Sequence, residues 1–169
     1  NSLSGADVII NAVAYTAVDR AETEFEEARK VNGEYPGRLA EASAILGSRF
    51  IHISTDYVFE GSTRSAFQVE EALNPQTAYG KSKALGEKLV AESGADYSIL
   101  RTAWLYGANG RCFPKVMGEL LVKNGSVKVV GDQFGQPTWT RDLAVQVLNV
   151  LDLENMPRVV HAVSSGKAT

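Results

Sequence analysis

Phe50-Ile51-His52-Ile53 is a short apolar run rich in β-branched residues. A run of that kind reads as a buried strand of a parallel sheet, covered by helices on both faces. Comparable runs stand at Val8-Ile9-Ile10, at Tyr97 to Arg101, at Val127 to Val130 and from Arg158 to Val163. Segments with helical spacing of apolar residues lie between them. This alternation predicts an α/β fold with a mostly parallel sheet. The 169 residues make about one domain.

Local signals set the boundaries. From Ala21 to Gly47 the pattern is helical, with Glu22, Glu24, Glu26 and Glu27 early, as the helix dipole prefers. Gly33 and Pro36 are expected to break it into two pieces, with Pro36 in the first turn of the second and Gly47 as the stop. The acidic run reads as a solvated face rather than a site. The stretch from Glu60 to Asn74 is polar and turn-rich, and Asn74-Pro75 leads into a helix from Thr77 to Ser93. A further helix is expected from Phe113 to Lys123, ended by Asn124-Gly125. Thr140-Arg141-Asp142 then caps a helix running through Leu151.

Composition excludes several classes. A net charge of −3 and a pI of about 5.4 give no basic field for nucleic acid or anionic lipid. With a single Cys112 there is neither an internal disulfide framework nor a metal-ligand cluster, and the thiol reads as a small packing residue. His52 and His161 sit in strand-like runs and read as structural. No apolar run approaches the roughly 20 residues of a membrane span and no signal peptide is visible, so a cytoplasmic protein is the default expectation.

The chemistry gathers at two places. The strand at Phe50 ends in Ser54-Thr55-Asp56, and ligands of an open parallel sheet bind beyond the carboxyl ends of its strands. A hydroxyl there can hold a substrate carbonyl, although Thr55 and Asp56 also suit a turn or a helix cap. The second place is Tyr79-Gly80-Lys81-Ser82-Lys83. Tyr79 and Lys83 are one helical turn apart, so phenol and ammonium share a face. A nearby cation favours phenolate and is expected to bring the tyrosine pKa down towards neutrality, as a proton donor to a carbonyl requires. By chance such a pair is expected less than once in a chain of this composition, so alone it is a weak motif.

Together these strings resemble a family. A strand ending in Ser/Thr, a Tyr-x-x-x-Lys helix and Arg101-Thr102-x-Trp104-x-Tyr106-Gly107 are similar to the extended short-chain dehydrogenases/reductases. Within that group, four longer strings resemble the dTDP-4-dehydrorhamnose reductase family: Asn11 to Asp19, Ser54 to Phe59, Tyr79 to Lys83 and Asp132 to Thr138. The resemblance runs from about Asp7 to His161. It implies a Rossmann-like sheet and NADPH- or NADH-dependent reduction of the C4 ketone of dTDP-4-dehydro-L-rhamnose. The implied catalytic residues are Thr55, Tyr79 and Lys83. Thr55, Asp56 and Trp104 would contact the nucleotide-sugar substrate. Ala12, Ala14, Tyr15 and Thr16, with Tyr79 and Lys83, would lie against the cofactor. A homodimer is left open.

Against that family the chain lacks the Gly-rich turn that receives a dinucleotide pyrophosphate. Residues 1–169 are therefore expected to form a partial reductase domain, without the N-terminal Gly-rich βα unit and a C-terminal portion, that binds a dinucleotide weakly when alone. Two other functions stay open at this point. One is a different extended reductase or epimerase of a nucleotide sugar. The other is a non-catalytic regulatory subunit, against which the intact Thr55, Tyr79 and Lys83 argue.

Overall fold

In a computed structural model, which describes residues 5–61 and 65–169, the elements follow one another as β1 (Val8–Asn11), α1 (Val18–Ala21), α2 (Phe25–Arg29), a π-helical turn (Lys30–Glu34), α3 (Tyr35–Leu46), β2 (Arg49–Thr55), a 3-10 turn (Asp56–Val58), α4 (Ala78–Glu92), β3 (Asp96–Thr102), β4 (Leu105–Tyr106), α5 (Phe113–Asn124), β5 (Thr138–Trp139), α6 (Thr140–Leu151) and β6 (Val159–His161). The main sheet is parallel, in the order β1-β2-β3-β6, and β4 and β5 form a separate short parallel pair.

The two-residue period of β2 divides the core. Phe50 joins Ile9, Ala40, Val90, Ala95 and Ile99 under α3 and α4. Ile51 turns to the opposite face and packs with Leu100, Leu143, Val147 and Val150 under α6. Cover is thus on both faces, as the apolar run at Phe50 predicts. Ile10 is paired in register with Ile51 yet remains 50% exposed, so the second layer thins out over β1. Among the described residues no helix is long and apolar enough to cross a membrane.

Local chemistry explains most boundaries. The Thr77 side chain accepts from the Gly80 N–H at 3.0 Å and caps α4. Gly47 and Gly125 end α3 and α5 with φ of 69° and 73°, a left-handed conformation that an L side chain resists.

Other expectations need correction. Pro36 stands in the first turn of α3, as expected, but does not interrupt the helical run. It has no N–H for the carbonyl four residues back, that of Asn32, and the chain absorbs the loss in a π-helical turn, so helix runs on from Phe25 to Leu46. Val127 to Val130 is not a strand; Val129 and Val130 are half exposed or more and no sheet edge reaches them. Thr140 is the first residue of α6 rather than its cap, which falls on Trp139 without a side-chain hydrogen bond. Cys112 is partly exposed at the start of α5, with Sγ 3.9 Å from the Gly107 carbonyl, so it is no core residue. The polar stretch after Glu60 forms no helix or strand among its described residues; 62–64 lie outside them.

Candidate active site

The carboxyl end of β2 and the first turns of α4 meet. Thr55 Oγ1 accepts from the Tyr57 N–H at 3.3 Å and donates to Asp56 Oδ1 at 3.0 Å, which fixes the turn. The Tyr79 phenol stands near the same hydroxyl, which favours its ionised form. The Tyr57 ring stands edge-on to Tyr79, centroids 5.5 Å apart. α4 can come this close because residue 80 is glycine: a methyl group there would overlap the Tyr57 carbonyl oxygen. Its first free N–H, that of Ala78, donates to the Glu22 carboxylate at 2.9 Å, from 56 residues away. Glu22 is therefore not just part of a solvated face.

Lys83 lies one turn further along α4 and is 1% exposed. Its ammonium donates to the Ile53 carbonyl at 2.7 Å. Burial lowers its pKa to about 8, opposed by the charge of Glu87. Tyr79 moves the other way. Burial pushes its phenol up to about 12; the Thr55 hydroxyl opposes this and the charge of Asp56 reinforces it. The expected lowering of Tyr79 by Lys83 is therefore corrected. Burial is the larger effect here, and the ammonium is committed to a main-chain carbonyl. Burial likewise raises Asp56, against hydrogen bonds from Thr55 and the backbone.

The loop after β1 comes to the same end of the sheet. Ala12 and Thr16 are exposed, while Ala14 and Tyr15 are partly covered. Tyr15 and Tyr79 both pack against the buried cluster of Ala21, Ala28 and Ala78. Its backbone is held on both sides by Asn32 of the π-helical turn: the Tyr15 N–H donates to Oδ1 at 2.8 Å, and Nδ2 donates to the Tyr15 carbonyl at 3.0 Å and to Ser82 Oγ at 2.9 Å. One buried asparagine thus ties this loop to α4 beside Lys83. Nothing in the sequence marked Asn32 beyond a polar residue in a helical pattern.

Beside Asp56 opens a cavity of about 540 Å³. Phe59, Arg101, Phe134, Gln136, His161 and Lys167 contribute to its wall, whereas Thr55, Tyr79 and Lys83 do not. Asp56, bonded to Thr55, links the cavity to the phenol. Trp104 is 36% exposed with φ of 44°, and its indole lies over Gly135, which lines the cavity. His161 stacks on Phe59 at 5.8 Å and is therefore a wall residue as well as a strand residue. His52, fully buried against Asn11 at 3.1 Å, is structural. Sequence reasoning gave no role to Phe59, Phe134 or Lys167, although Phe59 and Phe134 stand inside strings it singled out.

Residues 3–169 match the family model described as the RmlD substrate binding domain. The chain is 44% identical over 160 residues to a dTDP-4-dehydrorhamnose reductase of Burkholderia thailandensis, covering 95% of this chain and 54% of that protein. A Streptomyces antibioticus protein named as a probable dTDP-4,6-dihydroxy-2-methyloxan-3-one 4-ketoreductase is 41% identical, with 96% and 55% covered. The crystal structure of the Bacillus anthracis dTDP-4-dehydrorhamnose reductase in complex with NADP aligns with a TM-score of 0.92 and 36% identity, over 96% of this chain and 58% of that one. The chain thus spans about half the length of the curated relatives it matches.

Proposed function

We propose, given that this chain belongs to the RmlD substrate binding domain family, that the protein of which it forms part reduces the C4 ketone of dTDP-4-dehydro-L-rhamnose to the alcohol of dTDP-L-rhamnose with NADPH or NADH. The observation that carries this reading is the meeting of Tyr79, Thr55 and Asp56 at the carboxyl end of β2, with a buried Lys83 one turn along α4 from the phenol.

The residues derive the proton half of the reaction. A phenol pushed up to about 12 is fully protonated at neutral pH, which is the state an acid must start from. As the carbonyl carbon gains a hydride, its oxygen becomes basic and takes the Tyr79 proton. Thr55, beside that phenol, would hold the same oxygen. Lys83, with a pKa of about 8, is still mostly ammonium at neutral pH. It offsets the charge left on Tyr79 once the proton has gone. Asp56 and the cavity beside it would take the sugar, with Trp104 over Gly135 at the rim. A nucleotide ring or sugar suits the Phe59 and Phe134 faces of that wall.

A nicotinamide dinucleotide supplies the hydride when bound. The residues that would hold its nicotinamide end are Ala12, Ala14, Tyr15 and Thr16, with Tyr79 and Lys83. These fit: the loop is small-sided and partly exposed, at the carboxyl end of β1, and its Tyr15 packs on the same alanine cluster as Tyr79.

The test is NADPH oxidation by the full-length protein with dTDP-4-keto sugars. Turnover with the dehydrorhamnose substrate supports the reading, and no turnover with any of them overturns it. The 41% identity to the Streptomyces ketoreductase favours a second reading, in which another dTDP-4-keto sugar is preferred. The ratio of kcat/KM values across the panel separates the two.

A further inference from the structure

Trp104 stands in a backbone conformation that a bulky side chain resists. Its φ of 44° is the one positive value at a non-glycine among the described residues. A left-handed backbone at such a residue persists only where the surroundings over-determine it. Two contacts do so here. β4 begins at the next residue and pairs with β5, Leu105 with Thr138 and Tyr106 with Trp139, and the Thr138 N–H donates to the Trp104 carbonyl at 3.3 Å. The indole, in turn, lies against Gly135, three residues before β5. A Cβ at that glycine would overlap the indole atoms Cδ2, Cε2 and Cζ2.

Gly135 is not free to give way. Its N–H donates to the Ala168 carbonyl at 3.0 Å, and its carbonyl accepts from the Ala168 N–H at 2.9 Å. The residues after it are tied to the same strip of chain. Gln136 Nε2 donates to the Ser164 carbonyl at 3.1 Å. The buried Thr138 donates from Oγ1 to the Gln136 carbonyl at 2.9 Å and accepts there from the Ser164 N–H at 3.3 Å. The surface beneath the indole is therefore clamped main chain. Shifting the Trp104 backbone instead would pull β4 from β5. With both backbones held, a side chain at 135 displaces the indole itself.

We propose that Gly135 is a positioning residue: its missing side chain admits the Trp104 indole to the main chain, and that contact sets where the indole stands at the rim of the cavity lined by Phe134, Gly135 and Gln136. That Trp104 touches the substrate rests on the reductase reading; its contact with Gly135 stands on geometry alone. The ligand part concerned is the sugar, whose ring would lie against the indole.

Gly135→Ala in the full-length protein adds one methyl group and is expected to turn the indole off the main chain. KM for the keto sugar is expected to rise about tenfold with kcat within about twofold, because a wall contact is lost and the proton donor is not. With 5-fluorotryptophan incorporated, the 19F resonance of residue 104 is identified by its loss in Trp104→Ala. Recorded with neither substrate nor cofactor, its solvent-isotope shift is expected to grow in Gly135→Ala. Once Trp104→Ala has removed the indole, adding Gly135→Ala is expected to change KM by less than about twofold, since two residues acting through one contact are not additive.

An unmoved 19F isotope shift in Gly135→Ala means that the main chain yields, and overturns the proposal. An unmoved KM does the same, as does a rise in KM that is just as large in the Trp104→Ala background, which places the effect in the glycine loop itself. If the wild type reduces no keto sugar, the reductase reading fails and the 19F measurement alone decides whether Gly135 places the indole. If Gly135→Ala does not fold, the double variant is expected to fold, because the room the methyl group needs is then open. Failure of the double variant as well overturns the proposal.

Discussion

The Lys83 ammonium donates to the main-chain carbonyl of Ile53 at 2.7 Å, and the residue is almost wholly out of water. The contact pins α4 to β2, a central strand, two residues before Thr55. It also puts a titrating cation where burial penalises its charge, with a pKa of about 8 in place of 10.5.

That depression makes stability depend on pH. Below about 8 Lys83 is protonated in both folded and unfolded chains, and the cost of burying the charge is complete. Between about 8 and 10.5 the unfolded chain holds a proton that the native one has released, so stability rises with pH; above both values the cost is gone. Lys83→Met abolishes this term. The stability advantage of the Met variant over wild type is expected to shrink by on the order of 3 kcal/mol from below that window to above it. Urea unfolding of both proteins across the window checks this, and a constant difference contradicts it.

Tyr79→Phe removes one oxygen and keeps the ring against the alanine cluster and Tyr57. In the full-length protein, turnover is expected to drop by about 10²–10⁴ while cofactor affinity changes little. Retention of more than about a tenth of wild-type turnover would remove Tyr79 from the mechanism.

Gly86 faces the Asn32 carbonyl, four residues before Pro36, and a methyl group there would overlap the oxygen. Both neighbours are backbone and neither side can yield alone. Gly86→Ala is expected to cost about 1–3 kcal/mol or more. An unchanged midpoint in urea would mean that α4 and the π-helical turn are free to part.

Asn32→Ala strips partners from the Tyr15 N–H and carbonyl and from Ser82. Leaving such groups unpaired costs about 1–3 kcal/mol. Because the loop they hold is the proposed nicotinamide neighbour, dinucleotide affinity of the full-length protein is expected to fall as well. Calorimetric titration at a temperature where the variant stays folded reads this directly; equal affinity detaches Asn32 from the site.

Much of the fold is legible in short windows. The apolar run at Phe50 requires two covered faces, Thr77 caps α4, and Gly47 and Gly125 end their helices, since each of these depends on neighbours within about one turn. Thr55, Asp56, Tyr79 and Lys83 could be picked out as candidates because a strand end and a four-residue spacing are local facts too. What the sequence could not settle depends on groups dozens of residues away. Pro36 was read as a break because nothing nearby shows that Gly86 leaves room for the Asn32 carbonyl. Val127 to Val130 has the composition of a strand but no edge to pair with. The sign of the Tyr79 shift was misjudged for the same reason: spacing gives the cation beside the phenol, whereas burial of both is a sum over β2, α4 and the loops above them. The sequence by itself determined which residues stand at the end of the sheet. Only the packing of distant segments decided how dry that end is, and dryness is what sets the charge each residue carries.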